Sequence, residues 1–86
     1  MRKLTEKDIA DILGSENNGY TVLKAKAKSN NSFTDSDHYG IVYGKNEKGL
    51  FVIWQFHLDE SEKPTYYWGF YTECEESALE NYEARN

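Results

Sequence analysis

Two aromatic-rich runs, separated by a short charged segment, constrain the fold of this chain more than any other feature. Residues 49–58 (GLFVIWQFHL) carry apolar side chains at every even position, and residues 65–72 (TYYWGFYT) carry rings on both alternating sets. Alternation with a period of two is typical of a β-strand. Residues 59–64 between the runs form a loop short enough to join antiparallel neighbours. The sequence therefore predicts a β-hairpin at the centre of the fold.

The alternating sets also predict how the sheet is covered. The even positions of the first run, with Trp54 at their centre, are expected to share a helix-covered face with Tyr66, Trp68 and Phe70. The opposite set is expected to lie on a face without a helix, and its members are Phe51, Ile53, Tyr67 and Tyr71. Such an apolar patch binds bases or another protein, or is covered by residues 29–37 or by a second copy in a homodimer.

A short helix is predicted at residues 4–14. Thr5 and Asp8 have the spacing of a capping box, and Gly14 suits the end of a helix. The same residues, LTEKDIADILG, resemble the first part of a bacterial helix-turn-helix, which implies DNA reading. In that family a recognition helix follows at once, whereas residues 23–28 (LKAKAK) alternate strictly and favour a strand. That strand would place Lys24, Lys26 and Lys28 on one face.

The remaining elements follow from the same reasoning. Residues 29–37 read as a polar loop, residues 38–44 (HYGIVYG) as a strand, and residues 45–48 (KNEK) as a turn between glycines. A final helix is expected over residues 73–85, capped by Thr72 and attached through an inward stripe of Ala78, Leu79 and Tyr82.

The sequence thus predicts an α+β fold in the order α-β-β-β-β-α. An antiparallel sheet of three to four strands is flanked by an amino-terminal and a carboxy-terminal helix. The chain has 86 residues, too few for two hydrophobic cores, so residues 1–86 are expected to form a single domain.

Charge is distributed unevenly along the chain. The net charge is −5; residues 1–28 hold six basic and four acidic groups, whereas residues 59–86 hold two basic and eight acidic groups. An exposed acidic stripe is expected on the final helix, formed by Glu75, Glu76, Glu80 and Glu83. This surface favours a basic protein partner and disfavours nucleic acid, whose binding requires cations that neutralise phosphates.

The sequence predicts no catalytic residue, no metal site and no cofactor. His38, His57 and Cys74 lack the paired spacing of metal ligands, and the carboxylates do not converge on an apolar pocket. Cys74 is expected to be a small buried filler. A single cysteine and the absence of an apolar leader indicate a cytoplasmic location, and no run is long enough to cross a membrane.

The blocks at 49–56 (GLFVIWQF), 66–71 (YYWGFY) and 82–85 (YEAR) resemble small uncharacterised proteins carried on bacterial mobile elements. The resemblance covers about the last half of the chain, and it implies an accessory protein that binds or inhibits a host protein. The leading hypothesis is therefore a small non-enzymatic protein-interaction module. The alternative is a nucleic-acid-binding domain that uses Lys24, Lys26 and Lys28 together with exposed rings of the sheet.

Overall fold

A computed structural model describes residues 4–27, 39–59, 61 and 63–85. The elements in chain order are α1 (Glu6–Ile12), β1 (Glu16–Asn17), β2 (Tyr20–Ala27), β3 (Gly40–Asn46), β4 (Phe51–Leu58), β5 (Pro64–Thr72) and α2 (Glu75–Ala84). The strands form one antiparallel sheet in which each is paired with its neighbour in sequence. The α+β class and the two flanking helices are confirmed.

The number of strands differs from the prediction: there are five, not three to four. The additional strand is β1, which pairs with Tyr20 and Thr21 of β2. Asn18 and Gly19 join the two strands with φ angles of 55° and 86°. An Asn-Gly pair with positive φ at both positions is the preferred two-residue hairpin turn. The sequence analysis placed no strand here, because β1 is too short to produce an alternating pattern.

Helix α1 forms as its capping residues predict. The Thr5 backbone N–H donates to Asp8 Oδ2 at 2.8 Å, and the Asp8 N–H donates to Thr5 Oγ1 at 3.2 Å. The chain leaves the helix at Gly14, where φ is 81°. A strand hairpin follows and not a recognition helix, so the helix-turn-helix interpretation is wrong.

The sheet is curled. The rings of Tyr20 on β2 and Tyr71 on β5 have centroids 6.0 Å apart, although these strands are three spacings apart, about 14 Å in a flat sheet. Two irregularities of register accompany the curl: Leu23 is an extra residue in β2, and Trp68 and Gly69 of β5 together lie opposite Trp54. Such β-bulges bend a strand and increase its twist.

The concave face of the sheet holds the larger core. Its buried side chains are Tyr20, Val22, Val42, Val52, Trp54, Phe56 and Leu58, joined by Ile12 of α1. Trp54 is 4 % exposed, which confirms its predicted burial. Its ring neighbours are Tyr20, Tyr66 and Tyr71 at centroid distances of 5.5, 5.1 and 6.3 Å. Rings carried by the sheet itself therefore close much of this core.

The convex face holds a second core beneath α2. Ile41, Tyr43, Phe51 and Ile53 pack against Ala78 and Tyr82 of the helix. Phe51 is 6 % exposed and Ile53 0 % exposed. The prediction that these two residues lie on an uncovered face is therefore wrong. The alternation placed them correctly opposite Trp54, but α2 packs on the face that was expected to be open.

The bulge in β5 overturns the face assignments of Trp68, Phe70 and Tyr71, whereas Tyr66 lies on the face of Trp54 as predicted. Phe70 packs against the convex core and not the concave one. Tyr67 lies opposite Gln55 on the convex face, whereas Tyr71 lies opposite Val52 on the concave face. The extra residue between them reverses the parity of the strand. Tyr67 and Tyr71 therefore do not form one patch, and Trp68 does not enter the core.

Candidate protein-interaction surface

The bulge at Trp68 and Gly69 presents a tryptophan to solvent. Trp68 is 70 % exposed and has a φ of 55°, a left-handed conformation that costs a bulky residue about 1–2 kcal/mol. Gly69 is required beside it, because a Cβ atom there would lie 2.8 Å from Tyr71 Cε1 and 2.9 Å from Trp54 Nε1. The packing around Trp54 therefore fixes the bulge that turns Trp68 outward.

Arg85 secures the bulge from the other side. Its Nη1 atom donates to the carbonyl oxygen of Trp68 at 2.8 Å and lies 3.5 Å from the carbonyl oxygen of Ile53. Desolvation by burial lowers the pKa of this guanidinium. Arg85 follows directly after α2, so the contact joins the end of the helix to the strained strand. The sequence analysis did not identify Arg85 as part of the site. The feature that could have indicated it is a single basic residue at the end of an acidic segment.

A line of aromatic side chains, here called the ring row, continues from Trp68 across the sheet. It consists of Tyr39, His57, Tyr67 and Trp68, with successive centroid distances of 6.4, 5.6 and 5.2 Å. The Tyr67 hydroxyl accepts a hydrogen bond of 3.2 Å from Gln55 Nε2, and burial raises the pKa of Tyr67. All but Trp68 are partly buried. The ring row is thus a braced surface with one freely exposed ring at its end.

Helix α2 supplies the charge beside the ring row. Ala78 and Tyr82 are buried and Leu79 is half-buried, as predicted, and all four glutamates, Glu75, Glu76, Glu80 and Glu83, are exposed. At about 100° per residue, Glu76, Glu80 and Glu83 lie within about 60° of one another and form one exposed stripe. Glu75 lies on the side of the buried residues Ala78 and Tyr82.

The charges of Glu75 and Glu83 affect the pKa values of two side chains on the sheet, Tyr43 and Lys26. Burial, and secondarily the charge of Glu75, raises the pKa of Tyr43 on β3. Burial lowers the pKa of Lys26 on β2, and the charge of Glu83 partly opposes that shift.

The start of α2 differs from the prediction. The helix begins at Glu75 with Cys74 as its N-cap, and the Thr72 hydroxyl accepts a 3.1 Å hydrogen bond from the Cys74 N–H. Cys74 is exposed, so its prediction as a buried filler is wrong. The later start places the residue outside the apolar stripe. Hydrogen bonds from the side chain and backbone of Ser77 lower the pKa of the Cys74 thiol.

The predicted lysine face is partly present. Lys24 and Lys26 lie opposite Tyr43 and Ile41 on the convex side. Lys24 is exposed, but the Lys26 ammonium lies over the Tyr82 ring, 4.4 Å from its centroid. Lys28 lies outside the described residues, as do residues 29–37. One of the two described lysines is therefore already engaged by α2.

A groove of about 610 Å³ lies between α1 and the beginning of β5. Its lining includes Asp11, which pairs with Lys7 at 3.2 Å, and Asp8, which completes the cap of α1. These polar groups act within the helix, so the groove does not present a convergent ligand site.

Within the part of the chain that the structure describes, no group of three or more histidine, cysteine, aspartate or glutamate side chains is placed to hold a metal ion. His38 lies outside that part. Across the same residues, no helix combines the length and the apolar character needed to span a membrane.

No protein-family model matches the chain, and no curated protein or solved structure matches it either. The resemblance of residues 49–56, 66–71 and 82–85 to mobile-element proteins therefore stays a prediction.

Proposed function

We propose that this chain is a small non-enzymatic protein-interaction module that binds a basic surface of a protein partner. The contact surface consists of the ring row and the exposed acids of α2. One observation carries the proposal: Trp68 is held outward, in a strained backbone conformation, at the end of an acidic helix.

The strain at Trp68 supports this proposal. A glycine at this position would adopt the same φ without a Cβ clash and would expose less apolar surface. Strained residues that the surrounding structure holds in place are concentrated at functional sites. Tryptophan is also among the residues that dominate binding energy when a partner buries them. An exposed tryptophan held in this conformation is therefore well suited to anchor a partner.

The negative charge of α2 also supports this proposal. Glu76, Glu80 and Glu83 are exposed on one side of α2, so that side attracts a basic partner. Acidic groups of this kind raise the association rate of a basic protein, and added salt weakens the effect. The helix thus directs the approach, and the ring row supplies the area that slows dissociation.

The nucleic-acid alternative is weaker for a structural reason. It requires free cations near the rings, but the Lys26 ammonium lies over Tyr82 with the charge of Glu83 nearby. The acids of α2 on the same face would repel phosphates. A protein partner meets neither difficulty.

The resemblance to mobile-element proteins extends the proposal to a biological setting. In that setting the module is an accessory protein that occupies, and thereby inhibits, a basic surface of a host protein. The host protein would be identified by capture on the tagged chain, followed by purification of both partners.

Binding of the purified pair tests the proposal through Trp68→Gly, which removes the ring and relieves the strain. Leu23→Gly is the matched control, because Leu23 is also an exposed bulge residue, at 50 % exposure. We expect Trp68→Gly to raise Kd at least tenfold through faster dissociation and Leu23→Gly to change it less than twofold. Equal effects of the two variants would contradict the proposed surface.

A second pair of variants tests the charge. Replacing Glu76 and Glu80 by glutamine should slow association several-fold at low salt and have little effect at high salt. The control replaces Glu6 and Glu47, which are exposed elsewhere, with the same change in net charge. If the chain binds single-stranded oligonucleotides with steeply salt-dependent affinity and binds no protein, the alternative function is correct.

A further inference from the structure

We infer that Asn18 is a covalent modification site, where the side-chain amide is lost by cyclisation onto the Gly19 nitrogen to give aspartate or isoaspartate. Asn18 and Gly19 form the tip of the β1–β2 hairpin, and both are exposed to solvent. The modification depends on this turn and is independent of any partner of α2 or the ring row.

The reaction needs only water and hydroxide ion. The Gly19 amide nitrogen gives its proton to hydroxide and attacks Asn18 Cγ; a C–N bond forms, and the Cγ–Nδ2 bond breaks. The departing nitrogen takes a proton from water and leaves as ammonia. Water then adds to one of the two carbonyl carbons of the resulting succinimide ring and breaks its bond to nitrogen. Opening at Cγ gives aspartate, whereas opening at the backbone carbonyl carbon gives isoaspartate.

The turn leaves both reacting groups accessible. Among the described residues, neither the Asn18 side chain nor the Gly19 N–H has a hydrogen-bond partner. A Cβ atom built on Gly19 would meet nothing within 4 Å, so base and water reach its nitrogen from open solvent. The glycine that the turn requires is also the residue that crowds the attacking nitrogen least.

The other described asparagines are placed less favourably. Asn46 Oδ1 accepts hydrogen bonds from two backbone N–H groups at 3.0 and 2.9 Å, which fixes its amide in the turn before β4. Asn81 lies within α2 with its Oδ1 buried, and Asn17 is paired within β1. Each of the three is followed by a residue with a side chain.

Isoaspartate at position 18 loosens the hairpin. Its backbone runs through the former side chain, so a turn of two residues gains an extra carbon atom and no longer matches the register of its strands. β1 pairs with β2 at two positions, Glu16↔Thr21 and Asn17↔Tyr20. The Tyr20 ring packs 5.5 Å from that of Trp54, so the modified turn is joined directly to the concave core.

Peptide mapping by mass spectrometry tests the site, after incubation of the folded chain at mildly alkaline pH. We expect Asn18 to be converted at least about fivefold faster than Asn17, Asn46 or Asn81, because only Asn18 is followed by glycine. Asn18→Gln is the control: its longer side chain does not form the five-membered ring readily, and position 18 should stay unmodified. Conversion of Asn18 no faster than that of the other three would overturn the inference.

The isoaspartyl form, separated by chromatography, tests the consequence for the hairpin. Hydrogen exchange at the Tyr20 amide should be at least about tenfold faster than in the original chain. The matched control is Asn18→Asp, which carries the same added charge on an ordinary backbone and suits the same turn. Its exchange should equal that of the original chain. Equal exchange in the isoaspartyl form and Asn18→Asp would overturn the predicted loosening.

Discussion

The two faces of the sheet are closed in different ways. On the concave face, rings from β2 and β5 close over Trp54, so the sheet supplies much of its own cover. On the convex face, α2 provides the cover with two buried side chains, Ala78 and Tyr82. The concave core is covered because bulges curl the sheet, whereas the convex core is covered only as far as α2 extends. Trp68 lies in the β5 bulge, and its carbonyl oxygen accepts a hydrogen bond from Arg85 at the end of α2. This residue therefore lies where the two kinds of cover meet.

The largest effect is expected from Trp54→Ala on the concave face. The variant leaves a cavity among three tyrosine rings and should lower the free energy of unfolding by about 3–5 kcal/mol. Urea denaturation followed by circular dichroism would measure it, with Trp68→Ala as the tryptophan control. A similar loss in both variants would show that the faces are not distinct.

Tyr82→Ala should have a smaller and more local effect, of about 2–4 kcal/mol. It removes the main ring through which α2 attaches to Tyr43, 6.0 Å away between centroids. Hydrogen exchange should show faster exchange in α2 while the amides of β3 and β4 stay protected. Equally accelerated exchange in the sheet would mean that the two cores unfold as one unit.

Alkaline pH should weaken both faces. Burial raises the pKa of Tyr66 on the concave face and of Tyr82 on the convex face above the usual value of 10.0. The unfolded chain therefore loses these protons first, so the stabilising contribution is complete below pH 10 and is lost as pH rises through the folded pKa values. Urea midpoints from pH 8 to 11 should fall, and Tyr66→Phe and Tyr82→Phe should each flatten the decline. A steeper decline in either variant would contradict this assignment.

The smallest effect on stability is expected from Trp68→Gly. Relief of the left-handed strain and the greater backbone entropy of glycine oppose each other, so the free energy of unfolding should stay within about 1 kcal/mol of the original. Denaturation midpoints of this variant and of Leu23→Gly would establish whether lost binding reflects the missing ring. A large destabilisation by Trp68→Gly would show that the ring has a structural role.

Much of the fold was readable from local patterns. The capping residues Thr5 and Asp8 define α1, and the alternation around Trp54 identifies the central strand and the burial of Trp54. The inward stripe of α2 also follows from helical spacing. These features depend on neighbours within a few residues, which is why the sequence reveals them.

The candidate site was less predictable. Of the residues expected to contact a partner, Phe51 and Ile53 are buried under α2. Tyr67 and Tyr71 are separated by the bulge, and Trp68, which was assigned to the core, is the exposed ring. The prediction assumed that side chains alternate between the two faces without interruption. The extra residue in the bulge breaks this alternation, so the residues after Gly69, Phe70 and Tyr71, lie on the opposite faces from those predicted.

The sequence by itself determined the strand and helix types, the buried position of Trp54 and the acidity of α2, because each depends on the composition and spacing of a single segment. Only the tertiary structure decided that α2 covers the convex face and that Trp68 points outward. Those outcomes depend on contacts between distant segments: Tyr20 with Tyr71 across the curl, Gly69 beneath Trp54, and Arg85 with the Trp68 carbonyl. Each joins residues whose meeting is set by the curl of the sheet, which local periodicity does not encode.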